Sequence, residues 1–183
     1  MGKKFGALSE EHRDFIARQK IFFVATAAET GRVSLSPKGM DSFAVLSPNR
    51  VLWLNVTGSG NETSAHVQVN PRMTIMFCAF EGKPVILRIF GIAKAVHKGD
   101  QQWKELIAHF PPLPGARQIF DVTIEMVQTS CGMSVPFFDY SSEREQLNDW
   151  ARGKGDDGIR RYWEQKNQTS IDGLPTNILE KSR

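Results

Sequence analysis

The chain has 183 residues, of which 40% are hydrophobic and 23% charged, and its formal net charge is +3. This length suits one domain with a proper core, and the composition is that of ordinary globular proteins. The lysines and arginines are scattered, without a basic run interleaved with aromatic residues, so we expect no nucleic-acid partner.

Nothing in the sequence predicts a membrane partner. No stretch approaches the roughly 20 consecutive apolar residues that a membrane span requires. The first residues, MGKKFGALSEEHRDF, contain no apolar core of signal-peptide length. We therefore expect a cytoplasmic protein without a membrane partner.

Six runs along the chain have the pattern of β-strands. They are residues 21–28, 32–39, 51–56, 73–80, 85–96 and 118–128. Connections of hairpin length exclude a doubly wound parallel sheet and favour antiparallel order. Gly91 interrupts the long fifth run and predicts a bulge or bend there.

Helices are predicted around these strands. Ser9, followed by two glutamates, has the pattern of a helix N-terminus, and the last third of the chain is polar and helical. The fold prediction is a mainly β protein with peripheral helices: a six-stranded antiparallel barrel, small and closed or partly open, with a helical C-terminal third. Residues 1–140 would form the barrel domain, and residues 141–183 a helical extension packed on the same domain.

Cysteines and histidines give little evidence of a reactive or metal site. The two cysteines, Cys78 and Cys131, form no CxxC pair, and the four histidines lack metal-ligand spacing. We expect no metal. Cys131 lies beside Gly132 in a loop-like stretch, where a structural cysteine is a better interpretation than a nucleophile.

The segment TGSGNETSAH (57–66) follows the strand VLWLNV and allows two interpretations. Ser59 or Asn61 could cap a short helix, with Gly58 and Gly60 permitting positive φ angles. Alternatively, its hydroxyls, amides and backbone N–H groups could hold an anion. On the residues alone the cap is the more common case, and both interpretations remain open.

Several segments together resemble a known family. GRVSLSPKG, the VLWLNV strand, the polar Gly/Ser/Thr segment and HVQVNPRMTIMF resemble the core of the pyridoxamine 5′-phosphate oxidase-like, FMN-binding split-barrel proteins, over about residues 10–130. SLSPKG, TGSGNETSAH, FCAFEG and SIDGLPT resemble a subgroup of small proteins within that family. The resemblance implies a homodimer with two FMN sites in clefts at the subunit interface.

The resemblance also implies which residues contact the cofactor. Residues 32–39 match the segment that flanks the flavin, and residues 57–63 match the segment that receives its phosphate. A loop after the last strand could reach the partner's flavin. The candidate cofactor-binding residues are Ser34, Leu35, Ser36, Pro37, Lys38, Gly39, Thr57, Gly58, Ser59, Gly60, Asn61, Thr63, Cys131 and Gly132.

One departure from the family pattern concerns the phosphate. The two cations that grip it in the typical oxidase correspond here to Glu62 and Thr63, neither of which is positively charged. This argues against pyridoxamine 5′-phosphate oxidase activity itself. Lys38 is expected to supply the missing charge.

The resulting hypothesis is an FMN-dependent oxidoreductase with a small-molecule substrate or an electron donor such as NAD(P)H. FMN would carry the redox chemistry, and no residue is assigned as catalytic. The alternative is a non-catalytic split-barrel protein that binds or senses flavin, deazaflavin or haem. For haem, the histidines considered are His66 and His97.

Overall fold

The computed structural model describes residues 2–183, which form eight strands and five helices. The strands are β1 (Lys3–Phe5), β2 (Phe22–Thr26), β3 (Ser34–Lys38), β4 (Phe43–Ser47), β5 (Arg50–Val56), β6 (Arg72–Cys78), β7 (Val85–His97) and β8 (Ala116–Cys131). The helices are α1 (Glu10–Arg18), α2 (Glu62–Val69), α3 (Trp103–Ile107), α4 (Gln146–Lys166) and α5 (Ile178–Lys181).

The predicted fold class, an antiparallel sheet with peripheral helices, is confirmed. All neighbouring strands pair antiparallel in the order β3-β2-β6-β7-β8-β5-β4, and β1 pairs with β8. The strand count is eight rather than six. β1 is only three exposed residues long, and β4 follows a turn in which Met40 and Asp41 have φ angles of 65° and 52°. Gly39 lies directly before this turn, but the positive φ angles belong to the two non-glycine residues, which rarely adopt them, so the sequence did not predict the turn or the strand after it.

The sheet curls so that strands from opposite ends meet across its interior. Phe43 on the edge strand β4 contacts Phe22 on β2, with ring centroids 5.2 Å apart. Trp53 on β5 stacks on Phe120 of β8 inside the same core. β3 and β4 do not pair with each other, so the structure is an open, split barrel.

Gly91 lies at an irregularity in the β7–β8 pairing, as the sequence predicted. The register shifts between Phe90 and Gly91. A Cβ atom on Gly91 would lie 2.3 Å from the carbonyl oxygen of Thr123 and 2.9 Å from Cγ1 of Val122. The close approach of β8 therefore requires a glycine here.

Helices cover the outside of the barrel in two places. α3 packs over a second apolar cluster that includes Leu52 and Ile119. The C-terminal helices form a third cluster around Trp163 and Ile178, and Trp163 donates from Nε1 to Oγ1 of Thr57, 2.9 Å away. The C-terminal part of the chain is thereby attached to the loop that follows β5.

Candidate functional site

All five residues of strand β3 were predicted to bind the cofactor, as was Gly39, which follows it. The side chains of the strand alternate between its two faces. Ser34, Ser36 and Lys38 pair with the buried residues of β2, so they face the barrel interior. Leu35 and Pro37 face outward and are exposed. β3 pairs only with β2, so its second edge has free backbone N–H and C=O groups.

Lys38 is half-buried and has no acidic partner. Its Nζ lies 5.1 Å from the centroid of the buried Trp53 ring. In the part of the chain that the structure describes, no carboxylate forms an ion pair with it. Burial, and after it the nearby charge of Arg117, lowers the pKa of Lys38 to about 8.

The loop 57–61 is held from one side by the C-terminal segment. Asn167 donates from Nδ2 to the carbonyl oxygens of Gly58 and Ser59, at 3.0 and 3.3 Å. Arg117 donates from Nη2 to the carbonyl oxygen of Gly60 at 3.0 Å. Three successive carbonyl groups of the loop therefore point toward Asn167 and Arg117.

Arg117 is a buried cation without a carboxylate partner among residues 2–183. It is 2% exposed, and its Nη1 donates to Oδ1 of Asn167 at 2.7 Å. Its Nε, also buried, has no hydrogen-bond partner in the described chain. Burial lowers the pKa of Arg117 to about 9, so its positive charge is poorly compensated.

Helix α2 begins directly after the loop and is not capped by a side chain. Asn61 is the N-cap residue, yet its side chain makes no capping hydrogen bond. Its Nδ2 donates instead to the carbonyl oxygen of Asn167 at 3.4 Å. The helix-cap interpretation of this segment is therefore wrong for Asn61, and the first-turn N–H groups of α2 lack intrahelical acceptors.

The family pattern has cations at the positions of Glu62 and Thr63. Here both side chains form hydrogen bonds within the protein. The carboxylate of Glu62 accepts a hydrogen bond from the N–H of Ile171, with distances of 3.0 and 3.1 Å to its two oxygens. Thr63 is buried and accepts from Oγ1 of Thr26 at 3.5 Å. The charge of Glu62 is thus directed at the C-terminal segment.

A second contact anchors the same segment to the start of β3. Asp172 accepts a hydrogen bond from the backbone N–H of Arg32 at 2.7 Å and pairs with the Arg32 guanidinium. These bonds, first of all the one from the Arg32 N–H, lower the pKa of Asp172. We call residues 167–176 the C-terminal strap, since they run from Asn167 across α2 to the buried Thr176.

A cavity of about 970 Å³ lies beside the end of β3. Pro37, Lys38 and Gly39 line it, together with the α1–β2 connection and the segment 138–147. Phe138 covers part of it, packing edge-on against Phe80 and donating its N–H to the Phe80 carbonyl oxygen. A cavity of this size can hold a drug-sized or cofactor-sized ligand.

The structure brings only some of the predicted residues together. Residues 37–39 line the cavity, whereas the loop 57–61 lies against Arg117 and Asn167 and does not line it. Cys131 and Gly132 end β8 beside the start of β7: Cys131 pairs with Val85 and is exposed, and neither residue lines the cavity.

Arg117 and Asn167 are the important residues that sequence reasoning missed. Arg117 precedes the alternating run of β8 and gives no sign of burial, and Asn167 lies in the polar run EQKNQTS. The two residues are buried where the strap packs against the start of β8. Among residues 2–183, no group of three His, Cys, Asp or Glu side chains could hold a metal ion. The same range contains no helix both long and apolar enough to cross a membrane.

The open antiparallel barrel with a glycine-rich loop leading into a short helix defines the protein as a split-barrel protein. Residues 8–131 match the family model described as Pyridoxamine 5′-phosphate oxidase. A curated relative, the pyridoxamine 5′-phosphate oxidase family protein ustO of Aspergillus flavus, is 36% identical over 189 residues, covering 93% of this chain and 76% of that protein. The chain therefore belongs to the pyridoxamine 5′-phosphate oxidase family, and the resemblance inferred from the sequence is confirmed.

Solved structures agree on the fold. A candidate pyridoxamine 5′-phosphate oxidase from Lactobacillus delbrueckii has a TM-score of 0.54 at 22% identity, covering 67% of this chain and 94% of that one. A tagged variant of HupZ from Group A Streptococcus has a TM-score of 0.53 at 17% identity, covering 67% and 98%. At these identities the likeness shows the fold alone.

Proposed function

We propose that the protein binds FMN and acts as a flavin-dependent oxidoreductase on a small molecule, as a homodimer with the cofactor at the subunit interface. The observation that carries this proposal is the orientation of the loop 57–61. Family membership supports a flavin of some kind, and the loop supports a flavin that carries a phosphate.

The loop is built as an anion site. A trans peptide group is planar, so its C=O and the following N–H point in opposite directions. The carbonyl groups of residues 58–60 point toward Asn167 and Arg117. The N–H groups of residues 59–61 must therefore point away from them, and none of the three donates a hydrogen bond within the described chain. Successive free N–H groups of this kind bind anions.

The charge around the loop favours a phosphate despite the absence of the usual cations. Arg117 supports the loop from behind with an uncompensated positive charge, and α2 adds the positive end of its dipole. Glu62, the residue that would repel a phosphate, bonds to the strap. We assign the phosphate's charge compensation to Arg117. The assignment of this role to Lys38 from the sequence remains a prediction, tested below.

The residues of β3 suit the remainder of the cofactor. The free edge of this strand offers N–H and C=O groups that can match the polar ring edge of a flavin, and Ser34 and Ser36 add hydroxyls on the inner face. Bound FMN supplies hydride or single-electron transfer. The protein's own residues bind and orient it, and the cavity beside residues 37–39 offers room for a substrate or for NAD(P)H.

A second copy of the chain would cover exposed apolar residues and complete the site. Val33 and Leu35, on or next to β3, are 70% and 66% exposed, and Met133 and Phe137, after β8, are 81% and 80% exposed. Side chains this apolar and this exposed are typical of association surfaces. In a homodimer, the loop that follows Cys131 and Gly132 could reach the partner's flavin.

Haem is poorly supported as the ligand. His66 is 1% exposed and its Nδ1 lies 3.2 Å from Oγ1 of Thr26, and His97 is fully buried. Neither ring can reach an external iron without rearrangement of the core. A deazaflavin or a non-catalytic flavin role remains the alternative, and the cytoplasmic location remains a prediction.

The test is an absorption spectrum of the purified protein, followed by titration with FMN, riboflavin, a deazaflavin and haem. We expect FMN to bind most tightly and a dimer mass by light scattering. NAD(P)H consumption by the FMN-loaded protein would support an enzyme, whereas flavin binding without any reduction would support the non-catalytic alternative. A protein that binds no flavin would refute the proposal.

A further inference from the structure

Lys38, one of the residues that line the cavity beside residues 37–39, has an amine with unusual surroundings. The Lys38 side chain leaves β3 on the inner face, is half-buried, and directs Nζ to the face of the Trp53 ring. An aromatic face stabilises a cation only partly, and no carboxylate of the described chain pairs with this one. The charge that acts on it, that of Arg117, is of the same sign and lowers its pKa further.

The other charged groups at the cavity leave this amine uncompensated. Cations and carboxylates both occur along the wall, and within residues 2–183 none of them forms an ion pair with another residue of the wall. These charged residues are Arg18, Lys20, Arg144, Glu81, Asp139 and Glu143.

We propose that Lys38 is a nucleophilic amine that captures small apolar aldehydes in this cavity by forming an imine. This inference goes beyond the proposed flavin role and does not depend on it. The class of ligand follows from the walls: Phe80, Phe138 and Tyr140 offer apolar and aromatic surface around the polar amine.

The chemistry needs a neutral amine and no co-reactant. The Nζ lone pair attacks the carbonyl carbon and forms the C–N bond, and the resulting carbinolamine then loses its oxygen as water. Both hydrogens of that water come from the amine nitrogen, and a C=N bond remains. With a pKa of about 8, roughly a quarter of the Lys38 amines are neutral at pH 7.5, against about one in a thousand at an ordinary lysine pKa.

A second lysine of the cavity wall, Lys20, is a matched control for the accessibility of an amine to the aldehyde. Lys20 lies over the Tyr140 ring at 5.4 Å, but its side chain is exposed to solvent. If access alone determined labelling, Lys20 would react at least as fast as Lys38. If the buried environment activates the amine, Lys38 reacts first.

The experiment treats the full-length protein, as purified, with benzaldehyde and sodium cyanoborohydride, and maps benzylated lysines by peptide mass spectrometry. We expect Lys38 to be modified at least about tenfold faster than Lys20 at pH 7.5, because the lowered pKa of Lys38 gives it a neutral fraction larger than that of an ordinary lysine by roughly two orders of magnitude. Because cyanoborohydride reduces only protonated imines, the labelling of Lys38 is compared with that of exposed lysines at each pH. The ratio should fall from pH 7.5 to pH 10, since the neutral fraction of Lys38 is already near its maximum above about pH 8.

Two variants complete the test. Lys38→Arg keeps the positive charge and should abolish the fast modification, and Lys20→Arg should leave it unchanged. Because the wild-type protein alone reports the site and the pH profile, the test holds even if Lys38→Arg folds poorly. Equal labelling of Lys20 and Lys38 at pH 7.5, or a ratio of Lys38 to exposed-lysine labelling that does not fall between pH 7.5 and pH 10, would overturn the proposal.

Discussion

Arg117 donates a hydrogen bond from Nη1 to Oδ1 of Asn167, 2.7 Å away, and so joins the start of strand β8 to the beginning of the C-terminal strap. Asn167 also connects to the loop 57–61, because its Nδ2 donates hydrogen bonds to the carbonyl oxygens of Gly58 and Ser59. A buried arginine, one asparagine and three loop carbonyls therefore fix the shape of the proposed phosphate site.

Asn167→Ala should destabilise the protein by about 2–4 kcal/mol, because it leaves Nη1 of the buried Arg117 and the carbonyl groups of Gly58 and Ser59 without partners. Urea unfolding followed by circular dichroism measures the loss. Gln165→Ala, an exposed change on the preceding helix, is the control and should have little effect. Equal stability of the two variants would show that the contact contributes nothing.

The cation that serves the FMN phosphate can be identified by comparing two variants. Arg117→Met removes the charge behind the loop and should weaken FMN binding by about 10- to 100-fold, whereas riboflavin, which lacks the phosphate, should lose little. Arg117→Lys should retain part of the FMN affinity. Calorimetric titration of folded variants measures both ligands.

The Lys38→Ala variant tests whether Arg117 or Lys38, the residue assigned from the sequence, is the counterion of the FMN phosphate. If Lys38 is the counterion, its removal should produce the 10- to 100-fold loss for FMN and spare riboflavin, and added salt should weaken wild-type binding more than the mutant's. Our assignment expects a loss of less than about threefold. A large loss in Lys38→Ala, with none in Arg117→Met, would contradict it.

The free energy of unfolding should fall as the pH is lowered, because His97 is harder to protonate in the folded protein than in the unfolded chain. Burial, followed by the charge of Lys181, lowers its pKa to about 4. The unfolded chain, with an ordinary pKa near 6.5, binds the proton first, so the contribution is complete above pH 6.5 and is lost progressively down to about pH 4. The loss is up to about 3 kcal/mol. His97→Gln should flatten this part of the curve of unfolding free energy against pH; an unchanged slope would exclude His97 as its cause.

Removing the contact between Asp172 and Arg32, which attaches the strap to the start of β3, should open the strap without unfolding the barrel. Asp172→Ala breaks an ion pair with the exposed side chain of Arg32, so we expect only a small loss of stability. Proteolysis within residues 168–176 and the release rate of bound flavin should both increase. Glu180→Ala, an exposed acidic residue beyond the strap, is the matched control. Wild-type cleavage and release rates in Asp172→Ala would show that the anchor does not hold the strap.

Gly91→Ala should destabilise the barrel by more than about 2 kcal/mol, because the added Cβ would meet the backbone of β8 at 2.3 Å. Gly6→Ala, where a Cβ would meet nothing within 4 Å, is the control. Thermal unfolding of both variants provides the measurement, and similar midpoints would mean that the strands can separate at little cost.

The sequence by itself determined the fold class and the family. Alternation of apolar residues, hairpin-length connections and the bulge at Gly91 all arise from local backbone geometry, which neighbouring residues specify. The sequence did not predict β4, because the turn before it depends on positive φ angles at Met40 and Asp41, which non-glycine residues rarely adopt, and not on the adjacent Gly39. The glycine-rich loop was also visible, since its composition reports its conformational freedom.

Only the tertiary structure decided how that loop is arranged. Arg117 and Asn167 are 50 residues apart in the chain, and their contact depends on the strap's path across α2. The same path gives Glu62 its partner at Ile171, and barrel curvature places Lys38 over Trp53. Burial and charge compensation depend on which distant segments meet, and no local pattern of residues encodes that.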